Sequence, residues 1–250
     1  MVSSEQRRRQ LAREKFERQQ QRREAARRKA RRRNTIIAAT LAVVVAAGGV
    51  AFATGAFSGD GKKSDSAADP SSEPKMTVDA KAKYAMALKT NAGDIKITMD
   101  AAKTPHTVNS FKYLADKKYF DNTKCHRLTT QNIYVLQCGD PKGTGSGGPG
   151  YTIPDEDLTS LGKAGADSTV TYRAGTVAMA NTGQPHTGGS QFFLVYKDTK
   201  LPPSYTPFGT MDAAGLKAVQ DVAKEGVEGG ATDGAPKKAV TIQKAAVTKE

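Results

Sequence analysis

The sequence predicts a mainly β domain, with antiparallel strands closed into a barrel, behind one apolar segment that is long enough to cross a membrane. Short apolar runs alternate with Gly-rich or Pro-rich stretches throughout residues 84–250. The same region shows only two segments with helical periodicity, so alternating β and α units are not expected. A third observation, the uncharged run of 22 residues at 36–57, predicts a single N-terminal transmembrane helix.

The positive charge of the chain is concentrated near its N-terminus. The 250 residues carry a formal net charge of +13, and residues 1–33 hold 14 Lys and Arg against 4 Asp and Glu. The remainder of the chain is therefore close to neutral, at +3. This distribution argues against a basic nucleic-acid-binding domain, and no nucleic-acid partner is expected.

Charge and hydropathy together predict four regions. We expect a basic cytoplasmic segment at 1–35, a transmembrane helix at 36–57, a disordered linker at 58–83 and one globular domain at 84–250. Basic residues mark the cytoplasmic side of a span, which predicts a single-pass protein of the cell membrane with an extracytoplasmic C-terminal domain. A cleaved signal peptide is the alternative, and it would also export the domain.

The elements of the domain follow from turn residues and periodicity. Residues 84–89 and 94–99 predict a hairpin around the turn-forming residues 90–93. Thr104 followed by Pro105 predicts a capped helix start. Further predicted strands lie at 125–128, 133–138, 175–180, 191–196 and 239–242, and a second helix is expected at 212–224.

Patterns for cofactor or metal chemistry are weak. Residues 143–148 satisfy G-x-G-x-x-G, but Pro149 and Gly150 follow instead of a helix that could hold a pyrophosphate. The three histidines, at positions 106, 126 and 186, do not have the spacing of a helical metal-binding pair. We therefore expect no cofactor and no metal.

Five local patterns carry the functional hypothesis. They are Cys-His-Arg-Leu at 125–128, Val-Leu-Gln-Cys-Gly-Asp at 135–140, Met-Ala-Asn at 179–181, Gly-Ser-Gln-Phe-Phe at 189–193 and Leu-Pro-Pro-Ser-Tyr-Thr-Pro-Phe-Gly at 201–209. In this order and near this spacing they resemble the cyclophilins, over roughly residues 84 to 245. With the apolar segment and the two cysteines added, the chain resembles the membrane-anchored cyclophilins of actinobacteria.

The resemblance implies a fold, an activity and a set of site residues. The implied fold is an eight-stranded antiparallel closed barrel capped by two α-helices, and the implied activity is peptidyl-prolyl cis/trans isomerisation (class EC 5.2.1.8). Arg127 is the implied catalytic residue. The implied substrate-binding residues are Tyr134, Val135, Gln137, Ala180, Asn181, Gln191, Phe193, Leu201 and Tyr205. The alternatives to these roles are that Arg127 forms only a surface ion pair and that Phe193 only packs in the core. Phe192 and Phe193 face opposite sides of a strand, so one of the two must be a core residue.

The sequence departs from the family pattern beside the implied catalytic residue. Tyr134 and Gln137 follow Arg127 by seven and ten residues, where the family has five and eight, which implies two inserted residues near 130–132. Lys200 stands where the family often has Trp, and Tyr205 where it has His. The turn beside Arg127 is therefore expected to differ from that of the family.

The two cysteines have a geometric interpretation. If residues 125–128 and 133–138 form a hairpin centred between Gln131 and Asn132, Cys125 lies directly opposite Cys138. A cross-strand disulfide is then feasible outside the cytoplasm. Two free buried thiols are the alternative.

The functional prediction is an extracytoplasmic isomerase that acts on X-Pro bonds of exported or unfolded proteins, expected to be a monomer tethered by one helix. The alternative is a non-catalytic proline-peptide-binding chaperone or scaffold module. A further interpretation makes the basic N-terminal segment the main functional part of the chain.

Overall fold

The structure, a computed structural model, describes residues 72–250. The predicted basic segment at 1–35, the predicted transmembrane helix at 36–57 and most of the predicted linker therefore lie outside the described residues. Within residues 72–250, neither α-helix has the length and apolar character that a membrane span requires.

Residues 72–250 contain twelve strands, two α-helices and one short 3-10 helix. The strands are β1 (Tyr84–Thr90), β2 (Ile95–Met99), β3 (Thr123–Lys124), β4 (Arg127–Thr129), β5 (Val135–Cys138), β6 (Val170–Tyr172), β7 (Thr176–Met179), β8 (Phe192–Val195), β9 (Thr199–Leu201), β10 (Pro207–Met211), β11 (Asp233–Gly234) and β12 (Thr241–Lys249). The helices are α1 (Pro105–Asp116), α2 (Ala213–Glu225) and the 3-10 helix Glu228–Gly230. The predicted class, mainly β with two α-helices, is confirmed.

The sheet is an open half-barrel. Ten strands pair in the order β11-β4-β5-β8-β7-β10-β2-β1-β12-β3, and β6 pairs with β9 in a separate two-stranded sheet. All of these pairs are antiparallel. The expected eight-stranded closed barrel is therefore wrong in both strand number and closure, because no ladder joins the edge strands β11 and β3.

Chain connectivity keeps the two ends of the sheet close to each other. β3 is the edge strand at one end, and β4 lies next to the edge strand β11 at the other end. Only Cys125 and His126 separate β3 from β4 in the chain. Register shifts at Lys89/Thr90 and between Pro207 and Gly209 bend β1 and β10, since an extra residue on one strand of a pair bends that strand.

The main core lies between α1 and the inner face of the sheet. Phe111 of α1 is fully buried, and its ring centroid lies 4.7 Å from that of Phe208, 5.4 Å from Phe120 and 5.5 Å from Phe192. Burial alternates along β2, whose first, third and fifth residues are buried. One apolar face of the sheet thus holds the helix in place.

The start of α1 is capped by a distant residue rather than by Thr104. The Thr104 hydroxyl donates to the carbonyl of Asp100 at 2.7 Å and makes no cap bond to the helix. The Glu156 carboxylate instead accepts the backbone N–H groups of His106 (3.0 Å) and Thr107 (2.9 Å). A carboxylate at a helix N-terminus satisfies free N–H groups and complements the helix dipole.

The last part of the predicted linker packs on the domain. The side-chain amide of Asn109 donates to the carbonyls of Pro74 (3.0 Å) and Lys75 (3.2 Å). Its oxygen accepts the backbone N–H of Thr77 at 2.8 Å, and Val78 is buried in the core. The globular unit therefore begins before residue 84, because the buried α1 residue Asn109 binds this segment through its backbone.

A disulfide links Cys125 to Cys138, although the hairpin register differs by one residue from the expected one. Arg127 pairs with Gln137, which in a continuous ladder would place Cys125 beyond Cys138. The β4–β5 ladder begins only at Arg127, and the backbone N–H of Cys125 donates to Val240 at 2.9 Å. The two cysteines can meet because Cys125 lies outside that ladder, and both are buried.

Candidate functional site

A second apolar cluster, the outer apolar cluster, lies on the face of the sheet that is turned away from α1. Its buried members are Val135, Val170, Tyr172, Ala178, Phe193, Val195 and Leu201, and Ile133, Leu161, Ala180 and Tyr205 pack against it while partly buried. The cluster forms because β5, β7 and β8 carry apolar residues on both faces, and the β6–β9 pair covers part of the second face. Phe192 joins the main core and Phe193 the outer cluster, as strand alternation requires.

Phe193 is a central contact of the outer apolar cluster. Its ring meets that of Tyr205 edge to face at 5.5 Å and that of Tyr172 at 6.2 Å. The Tyr172 hydroxyl donates to the carbonyl of Tyr205 at 3.0 Å, and burial raises the pKa of Tyr172 to about 12, so this hydroxyl remains a donor at neutral pH. Four predicted pocket residues, Val135, Phe193, Leu201 and Tyr205, are thus brought together.

Tyr134, in contrast, does not belong to this pocket. Its ring packs edge to face on Tyr196 at 6.0 Å and lies under the ammonium group of Lys197 at 4.4 Å, against the main core. Val135, the next residue, is instead buried in the outer apolar cluster, so the two neighbours pack on different sides of the chain. Ile133, on the other side of Tyr134 in the sequence, packs against the outer apolar cluster.

One cross-strand row connects Arg127 with the outer apolar cluster. Arg127 on β4 pairs with Gln137 on β5, Gln137 with Phe193 on β8, and Phe193 with Ala178 on β7. Residues paired across antiparallel strands project from the same face. The two inserted residues near 130–132 therefore extend the hairpin tip and leave the Arg127–Gln137 pair intact.

The Arg127 guanidinium is held by two partners. Nε and Nη2 donate to the two carboxylate oxygens of Asp233, at 2.7 and 2.8 Å, and Nη1 donates to Gln137 Oε1 at 3.2 Å. The bond to Asp233 raises the pKa of Arg127 despite partial burial, so the group is a permanent cation. The Arg127 side chain is 40% exposed and is therefore accessible from solvent.

The two predicted glutamines form a directed chain of hydrogen bonds. Because Gln137 Oε1 accepts from Arg127, its Nε2 is free to donate, and it does so to Gln191 Oε1 at 2.9 Å. Gln191 Nε2 then donates to the carbonyls of Gly145 (3.0 Å) and Gly147 (2.8 Å). The guanidinium thus sets the orientation of both amides and couples them to the glycine-rich loop 143–148.

Asp140 organises that loop from inside. Its carboxylate is fully buried and accepts the backbone N–H groups of Lys142, Thr144, Gly145 and Gly147 at 2.7 to 3.1 Å. Burial raises the pKa of Asp140, but these hydrogen bonds outweigh burial and lower it to about 2. A Cβ at position 147 would lie 2.0 Å from an Asp140 oxygen, so only glycine fits there.

Ala180 and Asn181 lie across a groove from the glycine-rich loop. The groove is a cavity of about 640 Å³ lined by these two residues, Gln137, Gln191 and the loop. The Asn181 side chain donates to the carbonyl of Ser204 at 2.7 Å and accepts the N–H of Gly183 at 2.9 Å. Its side chain therefore shapes the groove wall, which leaves main-chain groups to face a bound peptide.

Sequence reasoning missed three residues of the site: Asp233, Tyr172 and Ile133. Asp233 is 106 residues from Arg127 and nothing local to it indicates the contact. Ile133 lies in the turn before β5, so strand alternation in the sequence does not reveal its contact with the outer apolar cluster. Among residues 72–250, no three His, Cys, Asp or Glu side chains are grouped as a metal site would require.

Comparisons with known proteins place related sequences over the same part of the chain. The family model described as "Cyclophilin type peptidyl-prolyl cis-trans isomerase/CLD" matches residues 85–247. A Mycobacterium tuberculosis protein named "Probable peptidyl-prolyl cis-trans isomerase B" is 49% identical over 165 residues, which covers 64% of this chain and 53% of that protein. The Mycobacterium leprae protein of the same name is 47% identical over 186 residues, with 72% and 62% covered.

A solved structure has a similar fold. The crystal structure of a cyclophilin type peptidyl-prolyl cis-trans isomerase of Cryptosporidium parvum, in the presence of the dipeptide Ala-Pro, matches with a TM-score of 0.54 and 26% identity, over 66% of this chain and 99% of that one. This chain spans only about half to three fifths of the mycobacterial proteins. Because the family model matches well over half of the sequence, the chain belongs to the cyclophilin-type peptidyl-prolyl cis-trans isomerases.

Proposed function

We propose that this chain is a peptidyl-prolyl cis-trans isomerase that acts on X-Pro bonds in polypeptides. Membership of the family supports the reaction class, and two mycobacterial relatives carry that activity in their names. The Cryptosporidium parvum relative was solved in the presence of Ala-Pro, which supports proline-containing peptides as the substrate class. The proposal rests mainly on the cross-strand row Arg127–Gln137–Phe193, which supports a joint role for Arg127 and the apolar cluster around Phe193.

The chemistry requires no covalent intermediate. Rotation about the X-Pro bond is slow because amide resonance creates a barrier of about 18–20 kcal/mol. In the twisted transition state the prolyl nitrogen becomes pyramidal and can accept a hydrogen bond. A catalyst therefore needs an apolar surface for the ring and a fixed donor aimed at that nitrogen.

The site supplies both parts. Phe193, Leu201 and Val135 offer the apolar surface for the prolyl ring. Arg127 lies two strands away from Phe193, so their backbones are roughly 10 Å apart at the usual strand spacing. An arginine side chain and a prolyl ring together fill this distance. Its guanidinium is charged and planar, so it can donate to the prolyl nitrogen without prior proton transfer.

The first experiment follows cis-to-trans relaxation of short X-Pro peptides with the full-length chain at low temperature, where the uncatalysed reaction is slow. Arg127→Ala is expected to lower kcat/KM roughly 100-fold, the effect typical of removing one transition-state donor. Arg173→Ala, at an exposed arginine, is the matched control and should leave the rate unchanged.

The outcomes separate the enzyme from a binding module. A folded wild-type chain that does not exceed the uncatalysed rate would refute the isomerase proposal. If the same chain still binds prolyl peptides in a calorimetric titration, the groove is a non-catalytic proline-binding site. Full activity of Arg127→Ala would refute the role of Arg127 alone.

We also propose that the domain acts outside the cytoplasm, on exported proteins, behind a transmembrane helix at 36–57. The uncharged run and its basic flank support this topology, and the buried Cys125–Cys138 disulfide fits an oxidising compartment. Protease added to intact cells should remove the domain while an N-terminal tag stays protected. A domain that is cut only after lysis would contradict the proposed location.

A further inference from the structure

Asp233 is the second partner of the proposed catalytic arginine. Its carboxylate binds Nε and Nη2 of Arg127 along one edge of the guanidinium, and Gln137 binds Nη1. An arginine side chain has five N–H groups, of which these bonds use three. One N–H on Nη1 and one on Nη2 remain for a substrate, and their directions are set by the two partners.

The backbone holds the Asp233 carboxylate in place. Asp233 pairs with Thr129 and Gly234 with Leu128, so β11 is aligned on the strand that carries Arg127. The chain around β11 is closed by the Val227–Pro236 bridge and by a bond from Glu228 N–H to the Ala235 carbonyl at 2.9 Å. A carboxylate on this short edge strand therefore has a defined position relative to β4.

This ion pair is poorly placed to stabilise the fold. The side chains are 40% and 54% exposed, and exposed ion pairs contribute little to folding stability. Hydrogen bonding by Arg127 lowers the pKa of Asp233, so the carboxylate is ionised at neutral pH. What the pair does provide is a fixed guanidinium plane, because a two-point carboxylate contact restricts the rotation of a long flexible side chain.

We propose that Asp233 is a positioning residue that fixes the Arg127 guanidinium for donation to the prolyl nitrogen. The inference rests on the proposed function of Arg127 and deepens it. Reaction rates depend strongly on donor placement, and an error of about 1 Å can cost as much as 100-fold. Asp233 acts through Arg127 and does not itself touch the substrate, so its removal affects turnover more than binding.

The test compares Asp233→Ala and Asp233→Asn with Asp221→Ala in the full-length chain. Asp221 also accepts bonds from basic side chains, Lys217 and Lys224, but lies on α2 away from the groove. We expect Asp233→Ala to lower kcat roughly tenfold with KM within about twofold. Asp233→Asn should retain intermediate activity, because its single amide oxygen accepts only one of the two bonds. Asp221→Ala should match the wild type.

Two further measurements separate positioning from stability. The Arg127 Nε–H signal in NMR spectra should be sharp and protected in the wild type and should be lost in Asp233→Ala, while the melting temperature changes little. In an Arg127→Ala background, Asp233→Ala should have no additional effect on kcat. If the alanine variant does not fold, the nearly isosteric Asp233→Asn variant carries the same comparison.

Three results would overturn the inference. They are an unchanged kcat in Asp233→Ala, a loss that affects KM alone, and an equal further loss in the Arg127→Ala background. An active wild type with inactive Arg127→Ala and fully active Asp233→Ala refutes the role of Asp233 and leaves the proposed function standing. An inactive wild type refutes both.

Discussion

Strand alternation decides which side chains of this site can act together. Arg127, Gln137 and Phe193 share one row and one face, whereas Tyr134 packs on Tyr196 against the main core. Tyr134 and Val135 are neighbours in the sequence, but Val135 is buried in the outer apolar cluster and Tyr134 is not. At the residue scale, the face of β5 and β8 to which a side chain projects therefore decides whether it belongs to the site.

Two alanine variants, at Ile133 and Tyr134, test which of these neighbouring residues contributes to peptide binding. Ile133→Ala removes apolar surface that packs on the outer apolar cluster, and we expect KM for X-Pro peptides to rise roughly fivefold. Tyr134→Ala should leave KM and kcat unchanged and lower the melting temperature, since it loses the contacts with Tyr196 and Lys197. A raised KM in Tyr134→Ala with an unchanged KM in Ile133→Ala would contradict this prediction and would indicate that Tyr134 contacts the peptide.

At the scale of single elements, the geometry of the glycine-rich loop depends on one residue, Asp140. Asp140 binds three backbone N–H groups of the loop and that of Lys142 just before it, and Gln191 binds two of the loop carbonyls from the groove side. The loop contains no regular secondary structure, so these bonds take the place of a ladder. Short Gly-rich sequences acquire a defined shape only when side chains satisfy their backbone groups.

The pH dependence of stability follows from Asp140. Its pKa falls from an ordinary 3.8 to about 2 on folding, so its stabilising effect is complete above about pH 4 and is lost as the pH falls towards 2. Asp140→Asn should melt at a lower temperature at pH 7 and show a shallower loss between pH 4 and 2 in circular dichroism. Asp94→Asn, at an exposed carboxylate between β1 and β2, is the control, and a wild-type-like slope in Asp140→Asn would contradict this account.

At the scale of the whole molecule, the half-barrel is held together by more than its ladders. The segment from β3 to β4 serves both ends of the sheet, and the Cys125–Cys138 disulfide joins this segment to β5. Asn109 binds residues 74–77 to α1 and extends the globular unit beyond its predicted start. These long-range links hold residues 74–77 on the domain and connect the two ends of its open sheet.

The disulfide should contribute measurably to stability. Its cysteines are 13 residues apart, and closing a loop of this size stabilises a fold by about 3 kcal/mol in the chain-entropy model. We expect the Cys125→Ala/Cys138→Ala variant to unfold at a lower urea concentration by a corresponding amount. The reduced wild type should behave like the variant, and identical urea midpoints for oxidised and reduced wild type would contradict the prediction.

The sequence by itself determined the mainly β class, the two helices and the motifs that identify the family, because periodicity, turn residues and short motifs are local properties. The tertiary structure decided the open sheet, the Glu156 cap of α1, the exclusion of Tyr134 from the pocket and the Asp233 contact with Arg127. Each of these joins residues far apart in the chain or depends on which face of a strand a side chain takes. Such contacts follow from packing and register, which no local pattern encodes.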